Sequence, residues 1–226
     1  MKISSFWWCA GLAGGLIAAV VWARKPRSPL PLAAWMPGLV ERHGQTEAQR
    51  LVALAEQRCR ELISGISPQA APALRAQWVN NILPGLALYQ TLLEAHGGER
   101  EAALAEIKPL FKAWTGRLYG GWMRTFRLLP FPFFFFRLSF AVQEKQLADN
   151  IFKTTWIENS PRRIALDNFG CPYLNTLAGY GVPELVPYFC QIDDWMAELL
   201  PPQIAFRRTQ TLARGGDRCD FRYESV

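Results

Sequence analysis

The sequence predicts an α+β fold: an N-terminal transmembrane helix, a bundle-like helical first half, then a small antiparallel sheet with helices packed on it. Three observations predict it. Apolar residues recur at helical spacing from Glu47 to Trp114. After Asn150 the pattern changes to short runs bounded by turn residues, the signature of strands and hairpins. An uncharged apolar run of 17 residues opens the chain. Helices first and hairpins later separate into an α+β arrangement rather than a parallel α/β one.

The opening run is Phe6 to Trp22, with Trp7, Trp8 and Trp22 at its ends, where amphipathic rings favour a membrane interface. Its glycines, Gly11, Gly14 and Gly15, are tolerated in lipid better than in a water-exposed helix. The run ends in Val-Trp-Ala-Arg-Lys-Pro, a poor signal-peptidase site, and Cys9 lies too early for a lipoprotein signal. A retained anchor over residues 1–25 fits best. Arg24, Lys25 and Arg27 outnumber Lys2, so the positive-inside tendency puts the body on the cytoplasmic side of the inner membrane, as a single-pass protein.

Residues 26–46 read as a linker stiffened by Pro26, Pro29, Pro31 and Pro37. The remainder, 47–226, reads as one α+β domain. Glu47 to Ile63 is an amphipathic helix with Leu51, Leu54, Ala55, Cys59 and Leu62 on one face. Ser67-Pro68 signals a helix start. The helix that follows presents Leu74, Trp78, Ile82, Leu86 and Leu93, kinks at Pro84 and ends at Gly97-Gly98. Glu99 to Trp114 is a third helix with acids in its first turn.

Residues 118–142 are densely aromatic, with Phe131 and Phe133 to Phe136, but Arg124, Arg127 and Arg137 make them too charged to span a bilayer. They fit either a core segment beneath the sheet or a patch lying on a membrane surface. Phe152–Glu158 and Arg162–Asn168 form a hairpin around Asn159-Ser160-Pro161. Pro172–Gly179 and Pro183–Leu200 are helices. Ile204–Ala213 and Cys219–Glu224 form a second hairpin across Arg214 to Asp217. In the last strand Cys219, Phe221 and Tyr223 share one face, and Asp220, Arg222 and Glu224 the other.

Charge narrows the function classes. The net charge is +6, yet residues 1–28 hold four cations and no acid, and the rest is nearly balanced at 21 basic against 19 acidic residues. A balanced body argues against nucleic-acid binding. There is no CxxC, HExxH, Walker loop or GxSxG, and two histidines are too few for a His-rich metal site; His43 and His96 read as surface residues. No metal is expected, and nothing names a cofactor. The cysteines are more informative. Cys171, Cys190 and Cys219 fall within the C-terminal third at spacings that fit no zinc pattern. Cys190 and Asp193, three apart, share a helix face. Cys171 opens a helix, where amide ends favour a thiolate. Asp220 follows Cys219. Packing of three small thiols in the core explains the same pattern without chemistry.

Cys171, then Gly181-x-Pro183-Glu184-Leu185, then Cys190 with Asp193, then Gly215-Gly216-Asp217-x-Cys219-Asp220-Phe221 form a combination that resembles the L-2-amino-thiazoline-4-carboxylic acid hydrolase family. The resemblance is close from Cys171 to Glu224. It implies opening of a small cyclic amidine or thiazoline carboxylate by water, giving an N-carbamoyl cysteine. It offers Cys171, Cys190 and Cys219 as thiols, Asp193 and Asp220 as bases, Arg207 or Arg208 as a carboxylate clamp, and Gly215 and Gly216 as a loop that approaches the ligand. A small-molecule substrate and a membrane are then the expected partners. The competing reading is a membrane-tethered binding or interaction module whose cysteines are structural.

Overall fold

The structure, a computed structural model, describes residues 34–146 and 151–226. The helical half comprises α1 (Met36–His43), α2 (Gln45–Ser64), α3 (Pro72–Gln77), α4 (Leu83–Ala95) and α5 (Arg100–Arg127). Next come α6 (Pro132–Gln146), the strands β1 (Thr154–Asn159) and β2 (Arg163–Asn168), and the helices α7 (Pro172–Gly179) and α8 (Val186–Glu198). Strands β3 (Ile204–Arg207) and β4 (Cys219–Ser225) complete an antiparallel sheet of order β1-β2-β4-β3. The α+β class follows as the sequence predicts.

The expected anchor, Phe6–Trp22, lies outside the described residues. Among the described residues no helix is long and apolar enough to cross a membrane. The linker expected over residues 26–46 is a helix where it is described. Trp35 and Leu39 are buried, and Trp35 stacks on Phe111 at 5.8 Å. A Cβ on Gly38 would meet Leu110 Cδ2 at 2.5 Å, so the glycine lets α1 approach α5 closely. Pro37 sits in the first turn, where its missing N–H has no helical partner to lose.

The helix expected to start at Ser67 begins instead at Pro72. Ala71, at φ −53 and ψ 135, holds the extended conformation that the residue before a proline favours. Residues 67–70 form a turn closed by Ala70 N–H to Ser67 O. The chain takes a π-turn over Trp78–Ile82, in which Leu83 N–H bonds Trp78 O, so Pro84 follows a widened turn.

The third helix runs well past Trp114 to Arg127, and its length explains the architecture. Its first part buries Ile107, Leu110 and Phe111 in the helical core. Its last part buries Met123 and Phe126 in a second core shared with α6 and the sheet. Phe133, Phe136, Ile164, Leu166 and Tyr223 belong to that second core. The core character expected of the aromatic stretch therefore holds for part of it. Phe133 and Phe136 are buried, whereas Phe131 and Phe134 are exposed.

Strand β3 is shorter than expected. Its last predicted residues form a loop and a 3₁₀ turn (Leu212–Arg214), because Asp220 collects them: it accepts from Thr209 N, Thr209 Oγ1 and Gln210 N at 2.9, 2.6 and 2.8 Å.

Candidate active site

A cavity of about 300 Å³ lies where the two cores meet. That is the size of a small-molecule site. One wall is aromatic, with Tyr119 and Trp122 from α5, Phe136 and Phe140 from α6, and Trp156 from β1. Sequence reasoning singled out only the Phe-rich stretch among these, since nothing local tells a core aromatic from one that lines a cavity.

The opposite wall carries the chemistry. Cys171, Cys190, Asp193, Arg208 and Cys219 all line the cavity. Cys171 is the N-cap of α7, and its Sγ accepts from Leu174 N at 3.3 Å. Cys219 opens β4 on the sheet face shared with Phe221 and Tyr223, and its Sγ accepts from Leu212 N at 3.3 Å. Cys190 and Asp193 present from one face of α8.

Four other candidates stand elsewhere. Arg207 is exposed and absent from the cavity wall. Asp220 points to the far side of the sheet, into the loop bonds described above. Gly215 is a left-handed turn residue at φ 80. Gly216 packs so tightly that a Cβ would lie 2.8 Å from Gln210 Oε1 and 3.0 Å from Thr211 O. These three residues shape the loop that carries Arg208 and leads into Cys219.

Arg208 organises the polar end of the cavity. Its Nη1 donates to Asp193 Oδ2 at 2.9 Å; its Nη2 donates to Asp194 Oδ1 at 2.7 Å and to the Cys190 carbonyl at 3.1 Å. The guanidinium also lies over the ring of Phe221, 5.5 Å from its centroid. With its fork committed to two carboxylates, Arg208 is a brace for Asp193 rather than a free anion clamp.

Burial pushes the Asp193 carboxyl up to about 6, against the opposing pull of Arg208 and with help from the Asp194 charge. Its side chain keeps 38% of its surface, at the cavity, so it remains reachable by a bound molecule. The thiols go the other way from a reactive cysteine. Burial, reinforced by Asp193, raises Cys190 to about 12. Burial raises Cys171 despite the bond from Leu174 N, so the helix start does not produce the thiolate expected there. Burial likewise raises Cys219. Asp220 is lowered: burial pushes it up, but the bonds from Thr209 and Gln210 prevail.

The histidines, expected at the surface, are half-buried and paired. His43 Nε2 and His96 Nε2 lie 2.6 and 2.8 Å from the two oxygens of the buried Glu106, and the three side chains tie α1 and the end of α4 to α5. Among the described residues, no group of three or more His, Cys, Asp or Glu is disposed to hold a metal ion.

Fold and site together define an α+β protein with a small-molecule cavity walled by aromatics on one side and by an acid, an arginine and three thiols on the other. The family model for L-2-amino-thiazoline-4-carboxylic acid hydrolase matches residues 75–223, and the chain belongs to that family. The match reaches well beyond the C-terminal stretch that carries the resemblance in sequence, and takes in α4, α5 and the first hairpin. A search of curated proteins finds no matching relative.

Proposed function

We propose that this chain is a hydrolase that opens a small cyclic amidine- or thiazoline-type ring, with Asp193 as its general base and acid. The observation that carries the reading is Asp193 itself. It is a carboxylate at a cavity wall, braced by Arg208 at 2.9 Å, with a pKa raised to about 6. A general base near the working pH is ionised yet readily returns its proton. The thiols, all raised, are poor nucleophiles at neutral pH.

For a 2-aminothiazoline ring the step balances as follows. Asp193 takes a proton from water as the oxygen bonds to C2, the carbon between nitrogen and sulfur. As the oxygen adds, the C2=N π pair moves onto the ring nitrogen; the C2–S bond then breaks with its electron pair on sulfur, the C2 hydroxyl becomes the carbonyl by passing its remaining proton to the ring nitrogen, and Asp193 returns its proton to the sulfur. The product carries a carbamoyl group on nitrogen and a free thiol. The aromatic wall holds the ring and any apolar substituent. In the same proposal the apolar run at residues 6–22 anchors the domain to the inner membrane, facing the cytoplasm.

The test is thiol release from 2-aminothiazoline-4-carboxylate and ring-substituted analogues by the full chain and by Asp193→Asn. Release by the wild type, with a loss of about 10²–10⁴-fold in the variant, supports the reading. No release from any such substrate overturns it and favours the binding-module alternative.

A further inference from the structure

Helices α5 and α6 meet at a corner whose outward side is apolar. Leu128 is 86% exposed, Phe131 79%, Phe134 57% and Leu138 42%. Single exposed apolar residues need no explanation, but four large ones around one corner do. Two further observations say what covers them.

The first is backbone strain. Phe131, between Pro130 and Pro132, stands at φ 63. A left-handed conformation costs a residue with a Cβ about 1–2 kcal/mol. Here it holds an aromatic ring that stays mostly exposed. Strain kept at an exposed aromatic points to a contact made by that ring.

The second is charge. From Ile107 to Gln143 there is no Asp or Glu, while Lys108, Lys112, Arg117, Arg124, Arg127 and Arg137 supply six cations. Lys112 is paired with Glu198. Among the described residues the four arginines bond neutral groups: Arg117 to Ala34 O, Arg124 to Gly120 O, Arg127 to the carbonyls of Leu199 and Leu200, and Arg137 to Asn159 Oδ1. Among the described residues, no carboxylate pairs with any of the four. Exposed aromatic and aliphatic side chains on a stretch that carries arginines and no acid fit a bilayer interface with anionic headgroups. The same chain carries the uncharged run Phe6–Trp22, flanked by cations, which favours lipid over a protein as the partner.

We propose that the α5–α6 corner docks on an anionic lipid surface, with Leu128, Phe131, Phe134 and Leu138 entering the headgroup region. The inward face of the same two helices supplies Trp122, Phe136 and Phe140 to the cavity, so one helix pair is both membrane contact and cavity wall. The inference stands on the surface alone and does not depend on the reaction at Asp193.

The test uses the full chain in phosphatidylcholine vesicles containing phosphatidylglycerol, with the photo-crosslinker p-benzoylphenylalanine placed at Phe131 or at Phe134. Tyr180, an exposed aromatic at the end of α7, takes the same probe as the control. Irradiation should give phospholipid adducts at 131 and 134 and none at 180. Omitting phosphatidylglycerol should lower the yield by at least about fivefold, the effect of one cation near an anionic surface. Cross-links to a second copy of the chain, or to residues 1–33 of the same chain, would overturn the proposal. So would a lipid yield equal to that at position 180, or one unchanged when the anionic lipid is left out.

Discussion

Arg208 donates to Asp193 across 2.9 Å at the polar end of the cavity, and the two sit on different elements: Asp193 on α8, Arg208 in the loop after β3. The pair joins a helix of the first core to the sheet edge of the second, and it fixes the carboxylate that the proposed chemistry uses.

Replacing Arg208 with Met should therefore act twice. Two carboxylates lose their cation, which costs about 2 kcal/mol; the full buried-pair value is not reached because both carboxylates remain more than a third exposed. Urea unfolding measures that loss. With its lowering influence gone, the Asp193 pKa rises above its present value of about 6, so the acid limb of the activity profile should move to higher pH.

Folding stability should report Asp193 independently of turnover. Its pKa is raised from 3.8 in the open chain to about 6 in the fold, so the folded state binds the extra proton. The associated stability is full below about pH 4 and is lost as pH rises through about 6. Asp220, lowered in the fold, works oppositely and loses its contribution as pH falls below the ordinary carboxylate range. Denaturant midpoints measured between pH 4 and 7 should fall with pH more steeply for the wild type than for Asp193→Asn.

Much of this site was legible in the sequence. Spacing of three put Cys190 and Asp193 on one helix face, and alternation put Cys219 with Phe221. Both relationships are local, so they survive folding unchanged. The role of Arg208 was not legible: an arginine reads as an anion clamp until its partners on α8 are known, and those are 14 and 15 residues away in sequence. The helix over Met36–His43 was hidden by Pro37 and the prolines before it, because only tertiary burial of Trp35 and Leu39 shows that this segment belongs to the core. The two histidines looked peripheral for the same reason. Glu106 brings them together across 63 and 10 residues of chain.

The split in the aromatic stretch predicts a split in mutational cost. Phe136→Ala empties a site packed against Phe126 and Tyr223 and should destabilise by about 3–5 kcal/mol. Phe134→Ala removes an exposed ring and should stay within about 0.5 kcal/mol of wild type. Thermal unfolding of the two variants side by side reads the difference.

The loop leading into Cys219 should tolerate no side chain at Gly216. A methyl there meets a backbone carbonyl, Thr211 O, at 3.0 Å, so Gly216→Ala should cost about 1–3 kcal/mol through displacement of the loop. Because that loop also carries Arg208, turnover should fall together with the melting temperature.

Thiol chemistry gives a sharp contrast. With Cys190 at about 12, roughly one molecule in 10⁵ carries its thiolate at neutral pH. In a Cys9→Ser background the native protein should show no fast-reacting thiol. Cys171→Ser, Cys190→Ser and Cys219→Ser should each retain turnover within about tenfold of wild type.

The most direct test of the account is the pH dependence of kcat/KM for ring opening by the wild type and the Asp193→Asn variant. The account predicts a wild-type acid limb with a midpoint near 6, set by Asp193, and a variant slowed by about 10²–10⁴-fold in which that limb is absent. A variant that keeps wild-type rates and the same limb, alongside a Cys→Ser variant that is folded and inactive, would contradict it and return the chemistry to the thiols.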